Sequence, residues 1–223
     1  MRAHYVTPAE LTDLLEPSSA GWKAARPEIL KLVGTPLALQ PTAAIQVAWA
    51  KRRIGAVDRV EVAALHDGSR LAFHLDWPDA TENREVSDTV TFPDAAGVLL
   101  ASTSGAPLIS MGAPGLPVNA WYWRADEAQG REVVAEGIGT SRTLDTPLVT
   151  ARALWKSGRW HVVIARPLRI TSSEPVAQLA PGTTTPFAVA VWEGSNSERA
   201  GIKAFSGEWR ELVLDAIPVL QKR

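Results

Sequence analysis

Met111 and Lys203 are the two residues whose types and positions could support chemistry. Met111 is the only methionine after position 1, and it lies in the Pro/Gly-rich loop of "PLISMGAPGLPVNAWYW". Lys203 lies in "SERAGIKAFSGEW", where strand alternation places it on the same face as Gly201 and Phe205. An inward Phe205 would bury the lysine, and a buried amine is rare unless it is neutral or paired. Taken alone, Met111 is typical of a core gap-filler and Lys203 of an exposed lysine.

The familiar catalytic and metal-binding motifs do not occur in the sequence. The four histidines, at positions 4, 66, 74 and 161, lack the spacing of a zinc or iron site. There is no G-x-S-x-G elbow and no P-loop. The chain has no cysteine, which excludes disulfides, thiolate metal sites and covalent haem attachment through C-x-x-C-H. A glycosidase-type carboxylate pair stays open among the 24 acidic residues, although nothing points to one.

Composition narrows the class of protein further. The 223 residues suit one large domain or two small ones, and a hydrophobic fraction of 46% is enough to form a core. A net charge of −1 and a pI of about 6.4 give no electrostatic signature for nucleic acid. No apolar stretch has the length of a membrane span. The start "MRAHYVTPAELTDLL" lacks the regions of a secretory signal, so we expect a cytoplasmic protein or a mature form whose signal was removed.

The elements that must position Met111 and Lys203 are mostly strands. "TPAELTDLL" predicts one short helix, with Thr7 as N-cap, Pro8 in the first turn and Glu10 completing a capping box. After Trp22, prolines recur too often for a long helix, and short period-2 runs take over.

Two hairpins can be predicted residue by residue. Asp67-Gly68 is a strong turn signal, and a two-residue turn there pairs Glu61 with His74. One face of this hairpin is then apolar: Val60, Val62, Ala64, Leu71, Phe73 and Leu75. A second turn at Ser157-Gly158 places Trp155 opposite Trp160, on a face with Val149, Ala151, Ala153, Val162 and Ile164. His161 and Arg152 point to the other side.

Further strands are predicted at 43–51, 88–92, 97–102, 118–124, 186–193, 202–205 and 209–214. Many short strands with Gly/Pro turns between them predict an all-β protein, an antiparallel β-sandwich with a short N-terminal helix and small helical turns in its loops. We expect residues 1–223 to form a single domain. The nine tryptophans fit core packing, and they also allow a stacking surface for a sugar ring or a planar cofactor.

Three segments together resemble a known family: "FHLDWPDATENREVSDTVTFPD", "PLISMGAPGLPVNAWYWRAD" and "SERAGIKAFSGEW". They look like the haem b-binding gamma subunits of the type II dimethyl-sulfoxide-reductase family of molybdoenzymes, which includes ethylbenzene dehydrogenase, dimethylsulfide dehydrogenase, selenate reductase and chlorate reductase. The resemblance runs from about Trp22 to Trp209, and the combination of the second and third segments is its most specific part.

This resemblance implies a function and a ligand set. One non-covalent haem b would lie between a methionine and a lysine, which map to Met111 and Lys203, and adjacency suggests Trp121, Trp123 and Phe205 as walls. The chain would be a non-catalytic, periplasmic electron-transfer subunit. Its partners would be a molybdopterin catalytic alpha subunit, an iron–sulfur beta subunit and a soluble c-type cytochrome, without nucleic acid or a membrane span. The substrate of the parent enzyme does not follow from the resemblance.

Two other functions stay open at this stage. A carbohydrate-binding sandwich that uses exposed tryptophans would need neither Met111 nor Lys203. A free-standing cytochrome b, acting as a sensor or shuttle, would keep the haem but have no molybdenum partners.

Overall fold

A computed structural model describes residues 1–145 and 148–218 of the chain. Within these ranges fourteen strands belong to one hydrogen-bonded sheet, eleven of them along a single path and three paired beside it. The strands are β1 (Arg2–Tyr5), β2 (Glu28–Lys31), β3 (Val33–Gly34), β4 (Arg59–His66), β5 (Arg70–Pro78), β6 (Ala95–Ala101), β7 (Val118–Arg124), β8 (Arg131–Ala135), β9 (Arg142–Thr143), β10 (Thr150–Trp155), β11 (Arg159–Pro167), β12 (Thr184–Trp192), β13 (Ala204–Phe205) and β14 (Arg210–Leu214). The predicted domain also takes in residues 146–147 and 219–223, which lie outside the described residues.

The sheet path folds over so that its two halves face each other. The strand order is β10-β11-β5-β4-β1-β14-β12-β6-β7-β8-β9. We call β10, β11, β5 and β4 the first layer, and β14, β12, β6, β7, β8 and β9 the second layer. Strand β1 connects the layers because it pairs in parallel with both β4 and β14, whereas the other pairs are antiparallel. The predicted β-sandwich is confirmed, with β1 as its parallel exception.

The main core lies between the two layers and is rich in aromatic rings. The Trp160 ring lies 4.9 Å from that of Trp123 and 6.5 Å from that of Trp77, centroid to centroid. Beside them, the Phe73 ring stacks on Phe187 at 5.9 Å across the layers. Edge-to-face and offset aromatic pairs add about 0.5–1.5 kcal/mol each beyond the area they bury.

A buried ion pair, Arg166 with Glu132, lies beside this core. Arg166 on β11 is 1% exposed, and its Nη1 donates to Glu132 Oε1 at 2.5 Å and to Asn119 Oδ1 at 3.1 Å. Its Nη2 also donates to the carbonyl of Ala177. Removing one partner of such a pair costs several kcal/mol because the other charge stays buried.

The N-terminal segment covers the outer face of the first layer. The predicted capping box is present: Thr7 Oγ1 accepts from the Glu10 amide, and Glu10 Oε2 accepts from the Thr7 amide, at the start of α1 (Pro8–Leu14). Trp22, from the 3-10 helix Ala20–Ala25, stacks on His74 at 5.1 Å. The face of the first hairpin opposite its predicted apolar face is therefore also buried, and it forms a second, smaller core.

The second hairpin has the predicted register, and the first does not. Trp155 pairs with Trp160, and Ser157 and Gly158 both have the positive φ that a type I′ turn requires. In the first hairpin Glu61 pairs with Asp76 rather than His74, a shift of two residues. A shift of two leaves every side chain on its predicted face.

The Asp67 carboxylate explains this shift. Its Oδ1 accepts from the amides of Ser69 and Arg70 at 2.9 and 2.6 Å, and its Oδ2 accepts from Arg70 Nε at 3.0 Å. These bonds form an Asx-type turn that is longer than the two-residue turn predicted by the Asp-Gly pair.

Two predicted strands are wrong. Residues 43–51 instead contain the helix α2 (Ala43–Trp49), whose N-cap Thr42 accepts from the amide of Ile45 at 3.3 Å. A short apolar run does not by itself distinguish a strand from a helix. Residues 88–92 form a tight turn closed by the bridge between Ser87 and Thr91, with positive φ at Asp88 and Thr89.

Replacing Asp67 with alanine tests the turn. The change leaves the Ser69 and Arg70 amides without their acceptor, so we expect a loss of about 2 kcal/mol in the free energy of unfolding. For a chain of this length that corresponds to a fall in Tm of about 4–8 °C. Asp67→Asn keeps the Oδ1 acceptor and is the matched control. Equal losses in both variants, measured by thermal denaturation, would mean that the carboxylate charge rather than the turn is responsible.

Candidate functional site

The outer face of the second layer forms the floor of a cavity of about 430 Å³. Small and apolar side chains from three strands make this floor: Gly97, Leu99, Ala120, Tyr122 and Val133. Helix α2, the loop 137–141 and the loop 199–203 cover it. This volume lies within the range of about 300–1,000 Å³ typical of ligand and cofactor sites.

Met111 and Lys203 meet at this cavity, although 92 positions separate them in the sequence. Lys203 Nζ lies 3.7 Å from Met111 Sδ. Lys203 is 7% exposed and Met111 is half-buried. The structure therefore brings together the two residues on which the sequence prediction rests.

The backbone holds Met111 in an unusual conformation. Its φ is +58°, in the left-handed region that residues other than glycine rarely adopt. Its amide donates to Leu108 O at 2.9 Å, and its carbonyl accepts from the Gly137 amide at 2.9 Å. Such strain persists where the surroundings fix it, and it is frequent at ligand sites. The next residue, Gly112, has φ +86° and no room for a Cβ, because that atom would lie 2.8 Å from two carbonyl oxygens.

Lys203 is held between the edge of β12 and the segment that follows β3. Its carbonyl accepts from the Thr35 amide at 3.0 Å, and its amide donates to Thr35 Oγ1 at 3.4 Å. The following residues form β13, which pairs with both β3 and β12. The lysine side chain therefore enters the cavity from a backbone fixed on two sides.

The Lys203 amine is a buried cation without a nearby carboxylate. Among the described residues, no Asp or Glu oxygen lies within 4.0 Å of its Nζ, and its nearest aromatic contact is the Trp192 ring at 5.2 Å. Burial lowers the pKa of Lys203 from 10.5 to about 8. The neutral amine, which is the form that can bind a metal, is therefore accessible close to neutral pH.

The structure corrects two of the predicted wall residues. Trp121 and Trp123 lie in the main core between the layers, 0% and 3% exposed. Alternation along β7 turns Tyr122 towards the cavity instead. Phe205 does lie beside the pair, since it lines a small pocket of about 30 Å³ together with Met111 and Lys203.

Sequence reasoning missed several lining residues. Trp192 and Tyr122 form an edge-to-face pair at 5.3 Å on the cavity wall, and burial raises the pKa of Tyr122 to about 12. Three arginines also line the cavity: Arg131, Arg142 and Arg199. Only two of these residues had a signal in the sequence. Strand alternation next to Trp121 and Trp123 indicated Tyr122, and closeness to Lys203 indicated Arg199.

Fold comparison identifies the architecture. Two structures of a family 9 carbohydrate-binding module from Caldicellulosiruptor kristjanssonii, with glucose and with cellotriose, match with TM-scores of 0.54 and 0.53. Each is 11% identical and aligns over 98% or more of this chain and 96% or more of that chain. At this identity the likeness defines the class of fold only: a β-sandwich, here with a lysine and a thioether facing a cavity on its outer face.

Sequence comparison identifies the family. The ethylbenzene dehydrogenase family profile matches residues 19–146 and 138–204. The chlorate reductase subunit gamma of Ideonella dechloratans is 33% identical over 204 residues, which cover 90% of this chain and 80% of that subunit. This chain therefore belongs to the ethylbenzene dehydrogenase family, and it is a gamma subunit of the type II molybdoenzyme group.

Two further relatives carry related names. A respiratory nitrate reductase heme subunit of Haloferax mediterranei is 36% identical over 154 residues, which cover 69% of this chain and 55% of that subunit. The dimethylsulfide dehydrogenase subunit gamma of Rhodovulum sulfidophilum is 28% identical over 158 residues, which cover 67% of this chain and 58% of that subunit. The matches thus span little more than half the length of these two relatives.

None of the helices in the described part of the chain is long and apolar enough to cross a membrane.

Lys203→Met tests the burial of the amine in protein without added haem. Because the folded pKa lies below the ordinary value, unfolding takes up protons between about pH 8 and 10.5, and wild-type stability rises with pH over this window. We expect the variant to be more stable than wild type at pH 7 by on the order of 3 kcal/mol, and this gap to disappear near pH 10.5. Chemical denaturation at both pH values measures it. A gap independent of pH would contradict the burial of a charged amine.

Proposed function

We propose that this chain is a non-catalytic electron-transfer subunit that holds one haem b between Met111 and Lys203. The observation that carries this proposal is the 3.7 Å approach of Lys203 Nζ to Met111 Sδ in a buried cavity. No described carboxylate neutralises the amine, and the thioether beside it comes from a strained loop. A metal that binds both atoms would account for the cost of burying the Lys203 amine and for the cost of the strained Met111 backbone.

The donor set fits haem iron. An amine nitrogen and a thioether sulfur are both donors that haem iron can accept once the amine is neutral. Lys203 Nζ and Met111 Sδ, 3.7 Å apart, are close enough that one metal ion could be held by both side chains. A thioether is a soft ligand, and methionine ligation raises the reduction potential of haem iron.

The walls fit a planar cofactor with an acidic edge. The small floor residues Gly97 and Ala120 leave room for a flat ring, and Tyr122 and Trp192 supply aromatic walls. Arg131, Arg142 and Arg199 can bind carboxylates, and we infer that the haem propionates lie towards them. Arg199 is the best candidate, because no described carboxylate lies within 4.0 Å of its guanidinium, whereas Arg131 pairs with Glu127 and Arg142 with Glu174.

The residues of the chain then have separate tasks. Haem b, when bound, supplies a one-electron redox couple. Met111 and Lys203 would be the two residues that bind its iron, and the chain itself would carry out no substrate chemistry. Burial keeps Lys203 in its neutral, ligating form more readily than solvent would, and the hydrogen bonds of Met111 fix the position of its sulfur. A fixed ligand geometry in both oxidation states is what electron transfer requires.

The wider assignment follows the relatives. They are named as subunits of chlorate reductase, dimethylsulfide dehydrogenase and nitrate reductase. We infer a periplasmic complex with a molybdopterin alpha subunit and an iron–sulfur beta subunit, in which this single-domain chain passes electrons to or from a soluble c-type cytochrome. A free-standing cytochrome b would keep the same cavity but lack the two partner subunits.

The carbohydrate-binding alternative has weaker support. It shares the fold of the family 9 modules, but it requires exposed tryptophans. Seven of the nine tryptophans are buried, and the other two, Trp155 and Trp209, are half-buried with their Nε1 atoms donating to backbone carbonyls. No described surface therefore offers an exposed indole for stacking on a sugar.

An absorption spectrum of the purified protein tests the cofactor directly. We expect a Soret band, sharp α and β bands after dithionite reduction, and haem b in a pyridine haemochrome assay, because Met111 and Lys203 would both bind the iron. A colourless protein that also fails to take up added haemin would overturn the proposal. Binding of glucose or cellotriose by that protein would then support the carbohydrate-binding alternative.

Two variants test the ligands. Met111→Ala should lower the reduction potential, since the thioether favours ferrous iron. Lys203→Ala should open a coordination position, so that the ferrous form binds carbon monoxide. Lys156→Ala, at the exposed tip of the second hairpin, is the control and should leave both properties unchanged. Wild-type spectrum and potential in both ligand variants would show that other residues bind the iron.

A further inference from the structure

Three buried carboxylates meet at a point outside the cavity. Asp79 directly follows β5, Asp94 directly precedes β6, and Glu193 directly follows β12. They are 3%, 0% and 8% exposed. One carboxylate oxygen from each lies within 4.8 Å of the other two. None of the three lines the cavity that contains Met111 and Lys203.

Two of these carboxylates are fixed by the protein. Asp94 Oδ1 accepts from the Gly194 amide at 2.8 Å, and its Oδ2 accepts from the Asn83 amide at 2.8 Å and from Trp160 Nε1 at 3.0 Å. Glu193 Oε1 accepts from the amide and the hydroxyl of Ser195. Such bonds orient a carboxylate in the way that ligands of a structural metal are oriented.

Asp79 supplies an independent sign of a missing partner. Its Oδ1 accepts from the Thr81 amide at 3.0 Å, but its Oδ2 is completely buried and has no hydrogen-bond partner among the residues that the structure describes. A buried unpartnered carboxylate oxygen costs about 1–3 kcal/mol or more. One oxygen of Asp79 also belongs to the three-carboxylate group, so its carboxylate lies where a cation could be bound together with Asp94 and Glu193.

The surrounding protein does not neutralise this charge. Among the described residues, no Arg, Lys or His nitrogen lies within 4.0 Å of the three carboxylates. Arg84, the cation of the same loop, donates instead to Glu82 Oε1 at 2.6 Å and to Ala125 O at 3.3 Å. Burial, together with the negative charges of Asp94 and Glu193, raises the pKa of Asp79 to about 8. Burial raises the pKa of Asp94 to about 6.

We propose that Asp79, Asp94 and Glu193 form a Ca²⁺ site that joins the ends of β5, β6 and β12. Only oxygen donors are present, which selects hard cations over zinc, copper or iron. Mg²⁺ keeps most of its water shell and requires near-octahedral geometry, which a site this buried does not favour. Ca²⁺ accepts six to eight oxygen ligands with flexible geometry, so water or main-chain oxygens complete its coordination.

A cation there stabilises the long connection between β5 and β6. Residues 79–94 contain no strand of the sheet, and their hydrogen bonds to the rest of the fold include those of Asp94 with Gly194 and Trp160. A cation that binds the folded chain and not the unfolded chain would raise Tm. The site is independent of haem ligation, because its three ligands are not cavity residues.

The test uses the full chain at pH 7. EGTA first removes any bound Ca²⁺ from the purified protein, and metal salts are then added. Millimolar CaCl₂ should raise Tm by about 5–10 °C, as expected for free ligand at about 100 times Kd, and MgCl₂ should raise it much less. Calorimetric titration should give one Ca²⁺ per chain. Terbium should show luminescence sensitised by Trp160, whose Nε1 is 3.0 Å from Asp94 Oδ2, and Ca²⁺ should displace it.

Asp79→Asn should abolish the effect of Ca²⁺ on Tm. The exposed Glu85→Gln, in the same loop, is the matched control and should respond as wild type does. The alternative is that Asp79 is protonated and the site binds no cation. If the wild-type chain shows no change in Tm with Ca²⁺ and no terbium emission, the proposal is overturned in favour of that alternative. This outcome is measured on the wild-type chain, so it does not depend on whether a variant folds.

Discussion

The second layer of the sandwich buries side chains on both of its faces, and this constraint determines where a ligand can bind. Along β7, Trp121 and Trp123 fill the core between the layers, so Tyr122 has to lie on the opposite face with Ala120. A sheet with two buried faces needs a cover on its outer side. Helix α2 and the loops that carry Met111 and Lys203 provide that cover, and the cavity is the space left beneath them. The candidate ligands thus lie in loops next to the outer face of the second layer rather than in its strands.

Features set by local chemistry could be predicted from the sequence. The capping box of α1 depends on residues three apart, and the register of the second hairpin depends on two turn residues. The inward direction of Lys203 followed from alternation with Phe205. The pairing of Met111 with Lys203 was different, because a contact between residues so distant in sequence came only from the family resemblance. The structure supports it with a contact that local patterns could not supply.

Features set by side chains that compete with the backbone could not be predicted. Asp67 lengthens a turn that its neighbour Gly68 would have closed in two residues, and Thr42 begins a helix where an apolar run suggested a strand. The buried pair of Arg166 and Glu132, like the three carboxylates around Asp94, joins residues from separate strands. Their charges looked like ordinary surface charges in the sequence, because burial is a property of the assembled layers.

The cavity also holds one of the two sulfur atoms of the chain. The chain has no cysteine, and Met111 is its only methionine beyond position 1. Met1 and Met111 are both half-buried, and the chain has no thiol that would react with peroxide before either thioether. Oxidation to the sulfoxide would replace a soft, apolar donor with a polar, oxygen-bearing one on a backbone that is already strained. Oxidation of Met111 would thus alter a proposed iron ligand, and methionine sulfoxide reductases would be the enzymes able to reverse it.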